Sequence, residues 1–292
     1  MTHETELSGF DALWNHGDPA TSEAAFRPLL ASAEPGSADH IELLTQIARA
    51  QGLQRRFDDA HQTLDEAQAL LAAGTAGERA RVRYLLERGR VFNSSRQKEQ
   101  AIPCFLEAWK AAQAAGEDFY AVDAAHMLGI AEPPERQTEW NFKAIALAER
   151  SSQPRARNWL GALYNNLGWT VHDQGHHADA LDLFERALAF RREHGQAAET
   201  RIAQWCVGRA LRSLGRVEEA LAIQRDLMSE HEVNGSRDGY VFEELAECLT
   251  LLGQPEAARP YFALAYAELS QDPWLVESEG ERLGRVKACG GV

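Results

Sequence analysis

Asp123 and His126 stand three residues apart, a spacing that sets both side chains on one face of a helix. With His172 and Glu243 or Glu247 they would offer the nitrogen and oxygen donors that a divalent metal takes. The spacing is common by chance, however, and histidines that only hydrogen-bond in a groove or turn meet it equally well. His172 and His176 lie four apart, but Gly175 between them marks a helix end and breaks the shared face. No metal is expected. The four cysteines, Cys104, Cys206, Cys248 and Cys289, form no CxxC pair, which favours a reducing compartment over a disulfide framework; Cys104 and Cys248 fall beside core positions. The chain has no GxxxxGKS/T, HExxH, GxSxG or GxGxxG, so no catalytic residues, no cofactor and no enzyme activity are expected.

The elements that would position these residues are legible from composition and period. The 292 residues are 45% apolar and 25% charged, enough to bury a core. A formal charge of −14 opposes attraction to phosphate backbones or anionic lipid, so neither nucleic acid nor membrane is an expected partner. The start carries acids and no basic or apolar leader, and no run of about 18 apolar residues occurs, so a cytoplasmic protein is expected. Lysine occurs four times against abundant alanine and arginine, a bias that hints at a bacterial source.

Small residues recur at Ala60, Ala101, Asn141, Ala180, Ala220 and Ala258, spaced by 38 to 41 residues. Twelve positions before each stands Ala48, Gly89, Gly129, Gly168, Gly208 or Ala246. Only close helix–helix approach requires so small a side chain there. Four positions after each come Leu64, Phe105, Ile145, Phe184, Gln224 and Phe262, which sets a large knob on the same face of a second helix. Asn141 and Gln224 break the apolar pattern, and Pro133-Pro134 cuts one first helix short. Gly175, Gly215 and Gly253 supply the left-handed residue that ends a first helix; Arg55, Arg96 and Arg136 stand there in the first three copies, so those turns are expected to differ.

The run Tyr164, Leu167, Gly168, Val171, Gly175, Ala180, Phe184, Ala187 resembles the tetratricopeptide repeat (TPR). Six such copies cover residues 37–272, and their period of about 40 resembles the long repeats of kinesin light chains and cell-polarity adaptors. The resemblance implies an all-α, right-handed α-α superhelix, a single solenoid over 1–292. Its N-terminal end would be sealed by a degenerate hairpin in 1–36, with a helix over 3–16 carrying Leu7, Phe10, Leu13 and Trp14. Its C-terminal end would be sealed by a capping helix and tail in 273–292, with Trp274, Leu275, Leu283 and Val286 on its apolar side and Gly290 and Gly291 fraying.

The resemblance also implies that the first helix of each copy lines a concave groove. The groove positions then hold Arg49; Arg83, Arg90 and Asn93; Asp123 and His126; Asn165, Trp169 and His172; Trp205, Arg209 and Arg212; and Tyr240, Glu243 and Glu247. Flat rings beside planar donors suit peptide recognition. Arginines toward one end and glutamates toward the other would orient a ligand. The alternative is that the tryptophans pack between neighbouring helices and the arginines pair with acids such as Asp123. The two-lysine carboxylate clamp of chaperone-binding relatives is absent. The expected function is a non-enzymatic scaffold binding a protein or peptide segment; the alternative is a small-molecule or signalling-peptide sensor whose superhelix changes shape. A homodimer would use an exposed end, with the Trp274 cap as the face for it.

Overall fold

The computed structural model describes residues 9–74 and 77–292, and among these all regular structure is helical. After a 3-10 turn at Gly9–Leu13 come α1 (Pro19–Ser32), α2 (Ala38–Leu53), α3 (Phe57–Ala73), α4 (Glu78–Ser94), α5 (Lys98–Ala114), α6 (Asp118–Ala131) and α7 (Pro134–Arg150). A one-turn α8 (Pro154–Arg157) precedes α9 (Leu160–Asp173), α10 (His177–Glu193), α11 (Ala197–Ser213), α12 (Val217–Val233), α13 (Gly239–Leu251) and α14 (Pro255–Leu269). The chain closes with α15 (Pro273–Ser278) and α16 (Gly280–Gly290). The pairs α2/α3, α4/α5, α6/α7, α9/α10, α11/α12 and α13/α14 are the six copies. They fall into two compact units, one ending at Leu163 and the other beginning at Tyr164.

The small residues do what the pattern requires. A Cβ on Gly89 would strike the ring of Phe105, and one on Gly168 the ring of Phe184. In the fifth copy Gln224 takes the ring's place over Gly208, fully buried and with both of its polar side-chain atoms unpartnered. In the third, Asn141 rather than the later Ile145 presses on Gly129. That shift follows from Pro133 and Pro134, which end α6 at Ala131 after 14 residues and start α7 at once.

The turns correct one expectation. Arg55 and Arg96 adopt left-handed backbone at φ 62° and 65°, as Gly175, Gly215 and Gly253 do at 84°, 76° and 71°. All five turns close with the same amide reaching back five residues, from Arg56 to Gln51 and Gln97 to Phe92 as from His176 to Val171, Arg216 to Leu211 and Gln254 to Leu249. The first two turns therefore match the later ones and carry the steric cost of a side chain in that region. Only the third differs, and Arg136 lies inside α7.

The ends also depart from expectation. Of the helix expected over 3–16, residues 3–8, Leu7 among them, lie outside the described residues, and the rest is the 3-10 turn with Phe10 buried and Leu13 exposed. Asp18 caps α1 by accepting from the Thr21 amide, and Asp272 caps α15 by accepting from the Trp274 amide. The C-terminal helix is broken at Glu279. Leu275, Leu283 and Val286 are buried, but Trp274 is 63% exposed, so it is not on the apolar side. Gly290 does not fray: it is buried, and a Cβ there would meet the Ala263 backbone. No described helix is long and apolar enough to cross a membrane.

Candidate binding faces

On the first unit the predicted groove arginines are occupied. Arg83 is 3% exposed. Its Nη2 donates to Asp11 Oδ1 at 2.6 Å, and its Nη1 to Asp11 Oδ2 at 3.1 Å and to the Tyr120 hydroxyl at 2.9 Å. Glu42 lies 3.4 Å away. Arg90 Nη1 donates to Glu87 Oε1 at 2.6 Å and its Nη2 to Asp123. Arg49 reaches the same Glu87 oxygen at 3.5 Å and lies over the Trp14 ring at 5.4 Å. The Asn93 carbonyl oxygen is buried without a partner. His126 faces the Trp159 ring at 5.1 Å, and burial pushes its pKa down. The pairing of arginines with acids such as Asp123, the alternative raised from sequence, is what this face displays.

The second unit presents aromatic surface. Trp169 and Trp205 lie with ring centroids 5.8 Å apart, and Trp205 meets Tyr240 edge-on at the same separation. The Trp205 indole N–H donates to the Tyr240 carbonyl at 3.1 Å, which fixes its ring. Trp169 also rests on Phe184, so one face of it is core and the tryptophans serve partly in packing. Asn165 Oδ1 accepts from the Cys206 thiol at 3.2 Å, and burial pushes that thiol up to about 12. Arg212 makes a two-pronged contact to Glu244 at 2.7 and 2.8 Å, and Arg209 lies 3.3 Å from the same carboxylate. Burial and the neighbouring Arg212 charge lower the Arg209 pKa.

Glu243 is held by Arg282 and Glu247 by Arg285, both from α16. The acidic end of the expected charge gradient is therefore neutralised by the cap, as the basic end is by Asp11, Glu87 and Asp123. His172 Nε2 lies 3.0 Å from the Ser213 hydroxyl and its Nδ1 3.5 Å from Asp173. That resembles a nucleophile–base–acid line, but Arg209 occupies the hydroxyl and Asp173 is solvated. Among the described residues, no group of three or more histidine, cysteine or carboxylate side chains is placed to hold a metal ion.

Beside the rings a cavity of about 470 Å³ opens between α11, α12 and α13. Ile202, Trp205, Leu227, Val241 and Tyr240 form its apolar wall, and Arg201, His231 and Asp238 its polar rim. Ile202 is 57% exposed and Tyr240 37%.

Sequence reasoning missed Asp11, Glu87, Glu244, Arg201 and Ile202. A signal for two of these was present. Glu87 and Glu244 occupy the same position in their copies, two before Gly89 and Ala246, where Gln46 and Asn166 also stand. At about 100° per residue that position faces the same side as the groove residues three later.

The family model for the tetratricopeptide repeat matches residues 160–194. No curated protein matches the chain. Among solved structures, RapI in its apo form aligns over 94% of this chain and 82% of its own, with a TM-score of 0.72 at 10% identity. A signal transduction ATPase with numerous domains and a tetratricopeptide repeat sensor, from Pyrococcus horikoshii, aligns over 92% of this chain with a TM-score of 0.71 at 13% identity. This chain spans 41% of that protein's length. A putative kinesin light chain protein of Podospora anserina with nearly identical TPR-like repeats aligns over 68% of this chain and 97% of its own, with a TM-score of 0.54 at 16% identity. The chain thus carries one matched tetratricopeptide repeat, and its helical hairpins share the fold of these repeat structures.

Proposed function

We propose that the chain is a protein-interaction scaffold that binds a peptide segment on the inner face of its second unit. The observation that carries this is the apolar cavity beside Trp205 and Tyr240, walled by a half-exposed Ile202. Rigid helices hold these rings before binding, so little side-chain entropy is lost when a ligand docks. Arg201 on the rim supplies a cation that an acidic group on the ligand can meet.

The test is selection from a displayed random-peptide library on the full chain, followed by titration of the recovered peptides. Ile202→Asp, an exposed change, is expected to weaken them at least about tenfold without altering helicity. Peptides that bind Ile202→Asp as they bind wild type would remove this reading.

A second reading, a sensor of a small molecule or signalling peptide, is favoured by the cavity's size, which lies in the range of small-ligand sites. The Pyrococcus protein carries a tetratricopeptide repeat sensor. A sensor shrinks or expands in small-angle scattering when its ligand is added; a scaffold keeps its radius of gyration.

A further inference from the structure

The first unit's inner face already holds something shaped like a ligand. Phe10 is buried in a cluster with Phe26, Leu43 and Ile47. The next residue, Asp11, places its carboxylate between two guanidiniums, Arg83 at 2.6 and 3.1 Å and Arg155 at 3.2 Å. Arg83 also lies over the Phe10 ring at 5.3 Å, and Trp14 donates its indole N–H to Gln46 at 2.9 Å. A ring, a carboxylate and a second ring thus dock as a short peptide would, on side chains of α2, α4, α6 and α8.

The receiving surface is built for the acid. Glu42 lies 2.8 Å from Arg79 and 3.4 Å from Arg83, and Asp11 joins Arg83 to Arg155, so three guanidiniums share these two carboxylates and Asp11 is the one that the resident segment supplies. Without it the buried Arg83 guanidinium is left short of its two-pronged partner. The resident segment is joined to α1 only through residues 14–18, where Asn15 and Asp18 close a tight turn.

We propose that this face is a binding site for an aromatic residue followed by a carboxylate, filled in this chain by its own Phe10-Asp11 and open to a partner peptide carrying the same pair. The tether gives the resident segment an effective concentration on the order of millimolar, so a competing peptide needs further contacts to displace it. This site stands independently of the one assigned to the second unit.

The test uses the full chain with Phe10→Ala and Asp11→Asn together. The probe is a labelled acetyl-Gly-Phe-Asp-Ala-Leu-Trp-amide, with a control peptide bearing Asn for Asp. The double variant is expected to bind the probe at least about tenfold more tightly than wild type, and the control at least about tenfold more weakly than the probe. Arg155→Glu added to the double variant should abolish binding. Equal affinity of wild type and variant, equal affinity for the two peptides, or no binding at all would overturn the proposal. If the double variant loses helicity, Asp11→Asn alone, which keeps the ring, carries the same readouts.

Discussion

At the second position of its repeat α4 carries Arg83, and at the same position α11 carries Ile202. Arg83 is sunk among Asp11, Glu42 and Tyr120; Ile202 stands half in solvent at the mouth of a cavity. At the fifth position the third copy has His126 against Trp159, and the fifth copy has Trp205 against Tyr240. One repeat therefore supports two opposite surfaces. Where charged groups fill these repeat positions they find one another and saturate; where rings fill them, apolar area stays available. A row of arginines on a repeat face is thus poor evidence for an anion site until the neighbouring carboxylates are known.

The contrast breaks most visibly at Arg83. Arg83→Met should destabilise the fold by about 3 kcal/mol in denaturant titration, because it removes the buried partner that Asp11, Glu42 and Tyr120 share and leaves Asp11 to Arg155 and Glu42 to Arg79 alone. Ile202→Asp, its counterpart, should change stability by less than about 0.5 kcal/mol, as exposed sites do. Equal costs would erase the distinction between the faces.

Gln224 sharpens the comparison within the core, since it fills the position that Phe105 fills in the first unit. Gln224→Met keeps the volume and removes two unpartnered buried polar atoms, and should stabilise by about 1–3 kcal/mol, read as a higher melting temperature. A loss of stability would mean that the amide has partners.

At the turns, Arg55→Gly and Arg96→Gly should each stabilise by about 0.5–1 kcal/mol, relief of left-handed strain outweighing glycine's unfolded-state entropy. The smallest effect is acid-linked. His126 is half-buried beside Trp159, and desolvation holds its folded pKa below the unfolded value near 6.5. Its contribution is constant above that value and is lost as pH falls below it, because the unfolded chain takes up the proton first. Wild type should lose stability between about pH 6.5 and 5 relative to His126→Gln, measured by urea midpoints.

The fold was legible because its demands recur. Gly89, Gly168 and Gly208 each meet a side chain sixteen residues on, and six repetitions make such a rule visible without an alignment. The double proline also announced the short α6. The site was less legible, since pairing depends on partners from other helices. Nothing near Asp11 in sequence points to Arg83, 72 residues away. Arg282 and Arg285 reach back from a cap to Glu243 and Glu247, so a charge gradient read along the chain vanished in three dimensions. The left-handed arginines escaped because residue type suggests a turn's conformation while the hydrogen-bonding of its flanking helices imposes it.

The most direct test of the two proposed faces, filled on the first unit and open on the second, is hydrogen–deuterium exchange on the full chain with a library-selected peptide bound. The account predicts new protection over residues 198–205 and 238–245, with 79–93 and 118–126 unchanged. Protection confined to 79–93 and 118–126 would contradict it.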